Sequence, residues 1–291
     1  MYGPDFTFLG VEKCDLSKPE TFAGADIVIV GAPFDGGTTH RSGAKFGPQA
    51  IRGADYLPHD GSRPHMALRT DGLKDLKVVD AGDLAMLSGD TEGALALLEK
   101  ATELITRSGA IPVILGGDHT IAAGDVTGVA RVKGWGRVSM IHFDAHADTG
   151  EDHFGALHGH GTPMRRLIES TEIHHRGLTT VMDEAFGILT DECEGVFLSV
   201  DIDVVDPGMA PGTGTPEPGG LTSRELLEAV RRICLELPIV GIDVVEVCPA
   251  YDSSEITAYL ANRVVLEALS AIAKRRAGTE YSASKNLLEG R

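Results

Sequence analysis

Arg137-Val-Ser-Met-Ile-His-Phe143-Asp144-Ala145-His146-Ala147-Asp148 is a β-type run that ends directly in a D-x-H-x-D cluster. In an extended chain alternate side chains share a side, so Asp144, His146 and Asp148 project together as the strand runs out. Two further stretches repeat the arrangement. Leu115-Gly116-Gly117-Asp118-His119 follows the apolar run 111–115, and Ser199-Val200-Asp201-Ile202-Asp203 closes the run 195–202. In open parallel sheets, ligands bind beyond the carboxyl ends of the strands. Three polar clusters at three such ends therefore read as one site.

Working outward, short β-branched runs alternate with amphipathic segments. Strands are expected at 25–31, 76–80, 111–115, 137–143, 195–202 and 238–245. Helices are expected from about Pro48, and at 91–108, 119–129, 180–191, 221–235 and 253–274. Thr222 and Ser223, with Glu225 nearby, mark one helix start by its capping residues. Strands separated by helices of this length predict βαβ crossovers and a three-layer α/β/α fold around a mainly parallel sheet. A single domain over 1–291 is expected, with a polar, frayed tail at 278–291.

The 26 basic and 43 acidic residues give a net charge of −17, which argues against nucleic acid or an anionic membrane as partner. Hydrophobic residues make up 42% of the chain, as in a globular protein with a large core. The four cysteines, Cys14, Cys193, Cys234 and Cys248, form no CxxC pair and read as reduced structural thiols. No secretory signal is visible at the amino terminus, and no run approaches the ~18 apolar residues of a membrane span. A soluble, cytoplasmic protein is expected.

His119, Asp144, His146, Asp148, Asp201 and Asp203 are the right inventory for two divalent cations. Four carboxylates left uncompensated in one pocket would raise each other's pKa, whereas two divalent ions balance them. Oxygen-rich ligation with no thiolate suits Mn2+ better than structural zinc, with Ni2+ or Co2+ as substitutes. Water between two such ions loses a proton near neutral pH, which implies hydrolysis. Gly116 and Gly117 are expected to allow close backbone approach. His142 is expected on the strand's opposite face, as a core residue or one that supports the ligands from behind, and Asp206-Pro207 in a turn.

The chain resembles the ureohydrolase family (arginase, agmatinase and related guanidino-acid hydrolases) of the arginase/deacetylase fold, from about Gly31 to Ala271. The resemblance is carried by Gly31-Ala-Pro-Phe-Asp35, Arg41-Ser-Gly-Ala-Lys-Phe-Gly-Pro48, Gly116-Gly-Asp-His-Thr120, Phe143-Asp-Ala-His-Ala-Asp148, Ser199-Val-Asp-Ile-Asp203 and Ala210-Pro-Gly-Thr-Gly-Thr-Pro216. It implies a binuclear manganese site. One ion would take His119, Asp144, Asp148 and Asp201, and the other Asp144, His146, Asp201 and Asp203, with Asp144 and Asp201 bridging. Asp148 would also steady the nucleophile by hydrogen bonding. The resemblance makes Glu246 the anchor for a substrate guanidinium, a role suited to a carboxylate that accepts two parallel N–H bonds. It makes His160 the proton shuttle, needed because an amine leaves only once protonated. His158, two residues earlier, is the alternative. The loop 210–220 would shape the pocket wall, and family members form trimers or hexamers.

Arginases carry an Asn shortly after the D-x-H-x-D cluster, where this chain has Thr149-Gly150-Glu151-Asp152. That difference favours a small cationic guanidino substrate, agmatine, hydrolysed to putrescine and urea. Guanidinobutyrate and guanidinopropionate hydrolases are the near alternatives. A one-zinc deacetylase or a non-catalytic oligomer subunit are the distant ones. One departure stands out. The family has a further strand–helix unit between His160 and Asp201, and here only 168–180 fills that interval. Either the chain carries a true deletion or residues are missing near Ser170-Thr171. Omission is the favoured reading, because losing a sheet strand is costly; an intact mass of 30.7 kDa would refute it.

Overall fold

Apolar runs separated by amphipathic helices do form one parallel sheet. The computed structural model describes residues 6–55, 63–167, 182–183, 186 and 193–278. Among these, the strands are β1 (Glu12–Lys13), β2 (Ile27–Ala32), β3 (Val78–Asp83), β4 (Ile111–Gly116), β5 (Val138–Phe143), β6 (Gly195–Asp201) and β7 (Ile239–Val245). Their order is β1-β3-β2-β4-β7-β6-β5, and every pairing is parallel. The helices are α1 (Gly47–Gly53), α2 (Gly72–Asp75), α3 (Thr91–Arg107), α4 (Ala122–Lys133), α5 (Pro163–Leu167), α6 (Ser223–Glu236) and α7 (Ile256–Arg276).

Side-chain alternation divides the core into two layers, one on each face of the sheet. Ile27, Ile29, Val113, Leu115, Leu198 and Val200 pack with Leu226 and Ile233 of α6 and Leu269 of α7. Val28, Val30 and Ile114 turn the other way, toward Leu98 and Ile105 of α3. Full burial of each such side chain stabilises the fold by about 1.5–3 kcal/mol, so a register slip that exposed a face would be prohibitive. The three-layer α/β/α architecture follows. Helix α6 starts on the expected capping box: the Glu225 amide donates to Thr222 Oγ1, and the Thr222 amide donates to Glu225 Oε2. Helix α7 is long and apolar enough to span a membrane by length and composition, but 83% of its apolar window is buried within the fold.

Two features differ from the sequence reading. The two-residue β1 is too short to leave a periodic signal. The segment expected as one helix over 119–129 opens with a 3-10 turn, His119–Ile121, capped by Asp118, before α4 begins. Of the helix expected at 180–191, Met182, Asp183 and Phe186 are helical, and the rest lies outside the described residues. The same holds for 168–180 and for the tail beyond Gly278. Among the described strands β5 comes last in the order, and its residues before Phe143 are only half-buried.

Candidate metal centre

The tips of β4, β5, β6 and β7 converge at one end of the sheet. His119 follows β4, Asp144 to Asp148 follow β5, Asp201 ends β6, and Glu246 follows β7. Close backbone approach makes this possible. A Cβ on Gly117 would lie 1.8 Å from the Phe34 carbonyl oxygen, and one on Gly116 2.6 Å from Val245 Cγ1. The Asp118 amide donates to that Phe34 carbonyl at 2.7 Å, and its carboxylate accepts from the Gly37 amide at 2.8 Å. The loop after β2 is thereby tied over the site.

His119 Nδ1 lies 3.0 Å from Asp144 Oδ2, 3.0 Å from Asp148 Oδ2 and 3.4 Å from Asp201 Oδ2. His146 Nδ1 lies 3.3 Å from Asp144 Oδ1 and 3.1 Å from Asp203 Oδ2. Asp144 thus reaches both imidazoles, one with each oxygen. Asp201 turns its other oxygen to the Asp203 amide at 2.9 Å.

His142 corrects the sequence reading. Its Nε2 lies 2.7 Å from Asp144 Oδ2, so it belongs to the cluster rather than to the opposite face. The reason is the pleat itself: residues i and i+2 share a side, and 142 precedes 144 by two. Ligand-capable atoms of His119, His142, Asp144 and Asp148 lie within 4.8 Å of one another, as do those of Asp144, His146 and Asp203.

The electrostatics favour cations. Burial alone would depress the His119 imidazole, but Asp144, Asp148 and Asp201 outweigh it and hold its pKa well above the ordinary value. Hydrogen bonds to Asp144 and Asp203 push His146 up to about 11. Burial, then the charges of Asp203 and Asp144, drive Asp201 well above the usual carboxylate range. These are the signs of concentrated negative charge awaiting compensation.

Glu246 stands beside the cluster, 1% exposed. Its Oε1 accepts from the His119 amide at 2.9 Å and lies 3.2 Å from His160 Nδ1. Its Oε2 is buried and meets no hydrogen-bond donor among the described residues. Glu246 has φ 62° and Asp148 has φ 49°, both in the left-handed region that non-glycine residues seldom occupy. Such strained positions concentrate at functional sites. His160 is held from its other side by Thr39, whose amide donates to Nε2 at 3.2 Å and whose hydroxyl lies 2.7 Å away. Thr39 escaped the sequence reading. His158 instead lies 3.4 Å from Glu92. Arg41 donates to the Thr213 and Gly214 carbonyls at 3.0 Å each, which fixes the 210–220 wall. Asp206 forms the expected turn, its carbonyl accepting from the Met209 amide.

Two neighbouring donor groups that share Asp144, rich in oxygen and free of thiolate, fit a pair of divalent cations. Paired cations at strand tips define a class, the binuclear metallohydrolases. The arginase family model matches residues 25–173 and 167–271. The two matched pieces meet where the sequence departs from the family pattern. Proclavaminate amidinohydrolase of Streptomyces clavuligerus is 38% identical over 281 residues, covering 84% of this chain and 88% of that protein. Agmatinase of Bacillus subtilis (strain 168) is 33% identical, covering 89% and 95%. A crystal structure of a hypothetical agmatinase from Burkholderia thailandensis superposes with a TM-score of 0.83 at 32% identity, covering 95% of this chain and 93% of that one. The chain belongs to the arginase family, and it is a hydrolase acting on guanidino compounds.

Proposed function

We propose that this hydrolase is an agmatinase-type ureohydrolase that converts agmatine to putrescine and urea with two Mn2+ ions. The observation that carries the guanidinium half of this reading is Glu246 Oε2, a buried carboxylate oxygen beside the cluster that meets no donor among the described residues. A guanidinium supplies the missing N–H groups in a planar fork, and a bidentate pair would fix the central carbon against the cluster.

His119, Asp144, Asp148 and Asp201 would hold one cation, and Asp144, His146, Asp201 and Asp203 the other. When bound, the pair supplies a water acidified enough to act as nucleophile at neutral pH. Asp148 accepts a hydrogen bond from that nucleophile and orients it. Glu246 presents the guanidino carbon. Addition of the water oxygen to this carbon and loss of the alkyl amine would leave urea, with both water protons ending on the departing amine. His160 delivers the proton that lets the amine leave. Thr39 and Glu246 grip opposite edges of the His160 ring, so the proton is offered from a fixed position.

The cationic tail is supported by the exposed Glu151 and Asp152 in the loop that follows the cluster, and by Glu217, whose carboxylate lies 3.9 Å from His146 Nε2. Acidic residues there repel a substrate carboxylate and favour an ammonium. The protein is further read as a cytoplasmic homo-oligomer of a single ureohydrolase domain. The test is urea release after loading with Mn2+, and separately with Ni2+, comparing agmatine with 4-guanidinobutyrate. Faster turnover of the acid would overturn the agmatine assignment while leaving guanidine hydrolysis intact.

A further inference from the structure

The two nitrogens of the His160 ring meet different company. Nδ1 faces inward, 3.2 Å from Glu246 Oε1. Nε2 faces outward, where the Thr39 amide donates to it at 3.2 Å and the Thr39 hydroxyl lies 2.7 Å away. His160 is only 8% exposed, whereas Thr39 is an exposed residue. Thr39 thus stands between Nε2 and solvent. Its place is set by the strap 37–39. The His160 amide donates to the Gly37 carbonyl at 3.1 Å, and Asp118 accepts from the Gly37 amide at 2.8 Å and the Thr38 hydroxyl at 3.2 Å.

The two Thr39 groups act differently on the ring. An amide N–H only donates, so its bond to Nε2 requires a lone pair there and leaves the ring proton on Nδ1, toward Glu246. A hydroxyl both donates and accepts. It serves the lone pair of the neutral ring and, equally, the N–H that Nε2 carries once the ring is protonated. Burial opposes the protonated ring, but the bond and charge of Glu246, and then the charges of Asp118 and Asp148, outweigh it and raise the His160 pKa above its ordinary value. The other titratable neighbour, His153, meets the ring edge-on with 6.0 Å between centroids. Both forms of the ring are therefore accessible near neutral pH. Of the two Thr39 groups, only the hydroxyl partners both.

We propose that Thr39 is a positioning residue whose hydroxyl relays protons between solvent and His160 Nε2, an inference that rests on His160 as the proton shuttle of the reaction above. The cycle balances. The hydroxyl gives its proton to Nε2 and takes another from solvent, and Nδ1 then gives its proton to the departing amine. The ring, now neutral with its proton on Nε2, regains one at Nδ1 from the water that enters as the next nucleophile. The Nε2 proton passes back to the Thr39 oxygen, which releases its own to solvent. One proton enters and one leaves through Thr39 in each turnover.

The experiment measures urea release from agmatine and from 4-guanidinobutyrate by the Mn2+-loaded full chain and by T39V, T39S and H160A, over a range of imidazole concentrations. Valine keeps the shape and the backbone amide but lacks the hydroxyl. T39V is expected to lose about 100-fold in kcat with KM little changed, the scale of a positioned proton-transfer group. Imidazole, a small proton carrier, is expected to raise the T39V rate in proportion to its concentration and to leave the unsubstituted enzyme unaffected. T39S retains the hydroxyl and is expected to stay within about threefold in kcat. A purely structural role would instead lower the thermal midpoint and the bound manganese of T39V, with no response to imidazole. Full-rate T39V overturns the inference. So does a T39V loss that imidazole leaves untouched, or a T39S loss as large as that of T39V. An unimpaired H160A enzyme overturns the shuttle reading on which the relay rests, and no urea from the unsubstituted chain overturns the proposed function itself.

Discussion

His160 and Glu246 meet through a single oxygen: His160 Nδ1 lies 3.2 Å from Glu246 Oε1, while Glu246 Oε2 is buried without a donor among the described residues. One carboxylate thus anchors the imidazole with one oxygen and keeps the other for a ligand. Replacing Glu246 by glutamine preserves shape and removes both the charge and one acceptor. The expected loss is about 2–4 kcal/mol of transition-state stabilisation, roughly 30- to 1000-fold in kcat/KM, with two metal ions still bound. Urea release kinetics together with metal analysis check it. An unimpaired E246Q enzyme would remove Glu246 from the site.

Asp203 serves the group around His146, whereas His119 contacts Asp144, Asp148 and Asp201. D203A is therefore expected to lower the bound metal from two ions to one, and D144A to empty both sites. Metal content per subunit, measured after gel filtration, distinguishes the two variants.

Gly117 faces backbone rather than a yielding side chain, so a methyl group there has nowhere to go. G117A is expected to destabilise the protein by at least about 1–3 kcal/mol, the range for overpacking a tight interior. Urea unfolding at fixed metal load measures this. A wild-type midpoint would contradict the close approach of the β4 tip to Phe34.

Glu267 of α7 is buried against His65 Nε2 at 2.6 Å and Arg231 Nε at 2.5 Å. Burial alone would raise its pKa; the bonds from His65 and Arg231 outweigh burial and set it below the ordinary value of 4.5. A carboxylate whose folded pKa is depressed contributes stability above its unfolded pKa and loses it as the pH falls through the folded value. E267Q is therefore expected to cost about 1–3 kcal/mol at pH 7, because it weakens the hydrogen bonds that a buried carboxylate makes with His65 and Arg231. The gap between variant and unsubstituted protein should narrow as the pH drops below about 4. Denaturant midpoints across that range give the answer, and a gap independent of pH would refute the ionic role.

The clustering of the proposed ligands was legible because strand-end spacing of two residues is a local property. Asp144, His146 and Asp148 needed no tertiary information to be grouped. His142 obeys the same rule, which puts it on the side of Asp144, where it supports that carboxylate at 2.7 Å. Thr39 was not legible, since its contact with His160 spans 121 residues and depends on a loop tied down by Asp118. Asp243 did leave a signal: a charged residue inside Ile239–Val245, an otherwise apolar run, must find a partner when buried. That partner, Ser199, lies 44 residues away across a strand pairing that no periodicity specifies. The order of the strands was likewise hidden, because crossovers fix handedness and parallelism but not which neighbours pair.

Among the described strands, β5 pairs with β6 alone, yet it leads into three of the six proposed ligands. The remaining ligands hang from the tips of β4 and β6, nearer the centre. Cations in this cage would act as a clasp between the tip of β5 and those of β4 and β6. Metal loading and mechanical closure of the sheet then become a single event, and stripping the ions would loosen those tips as well as silence the chemistry.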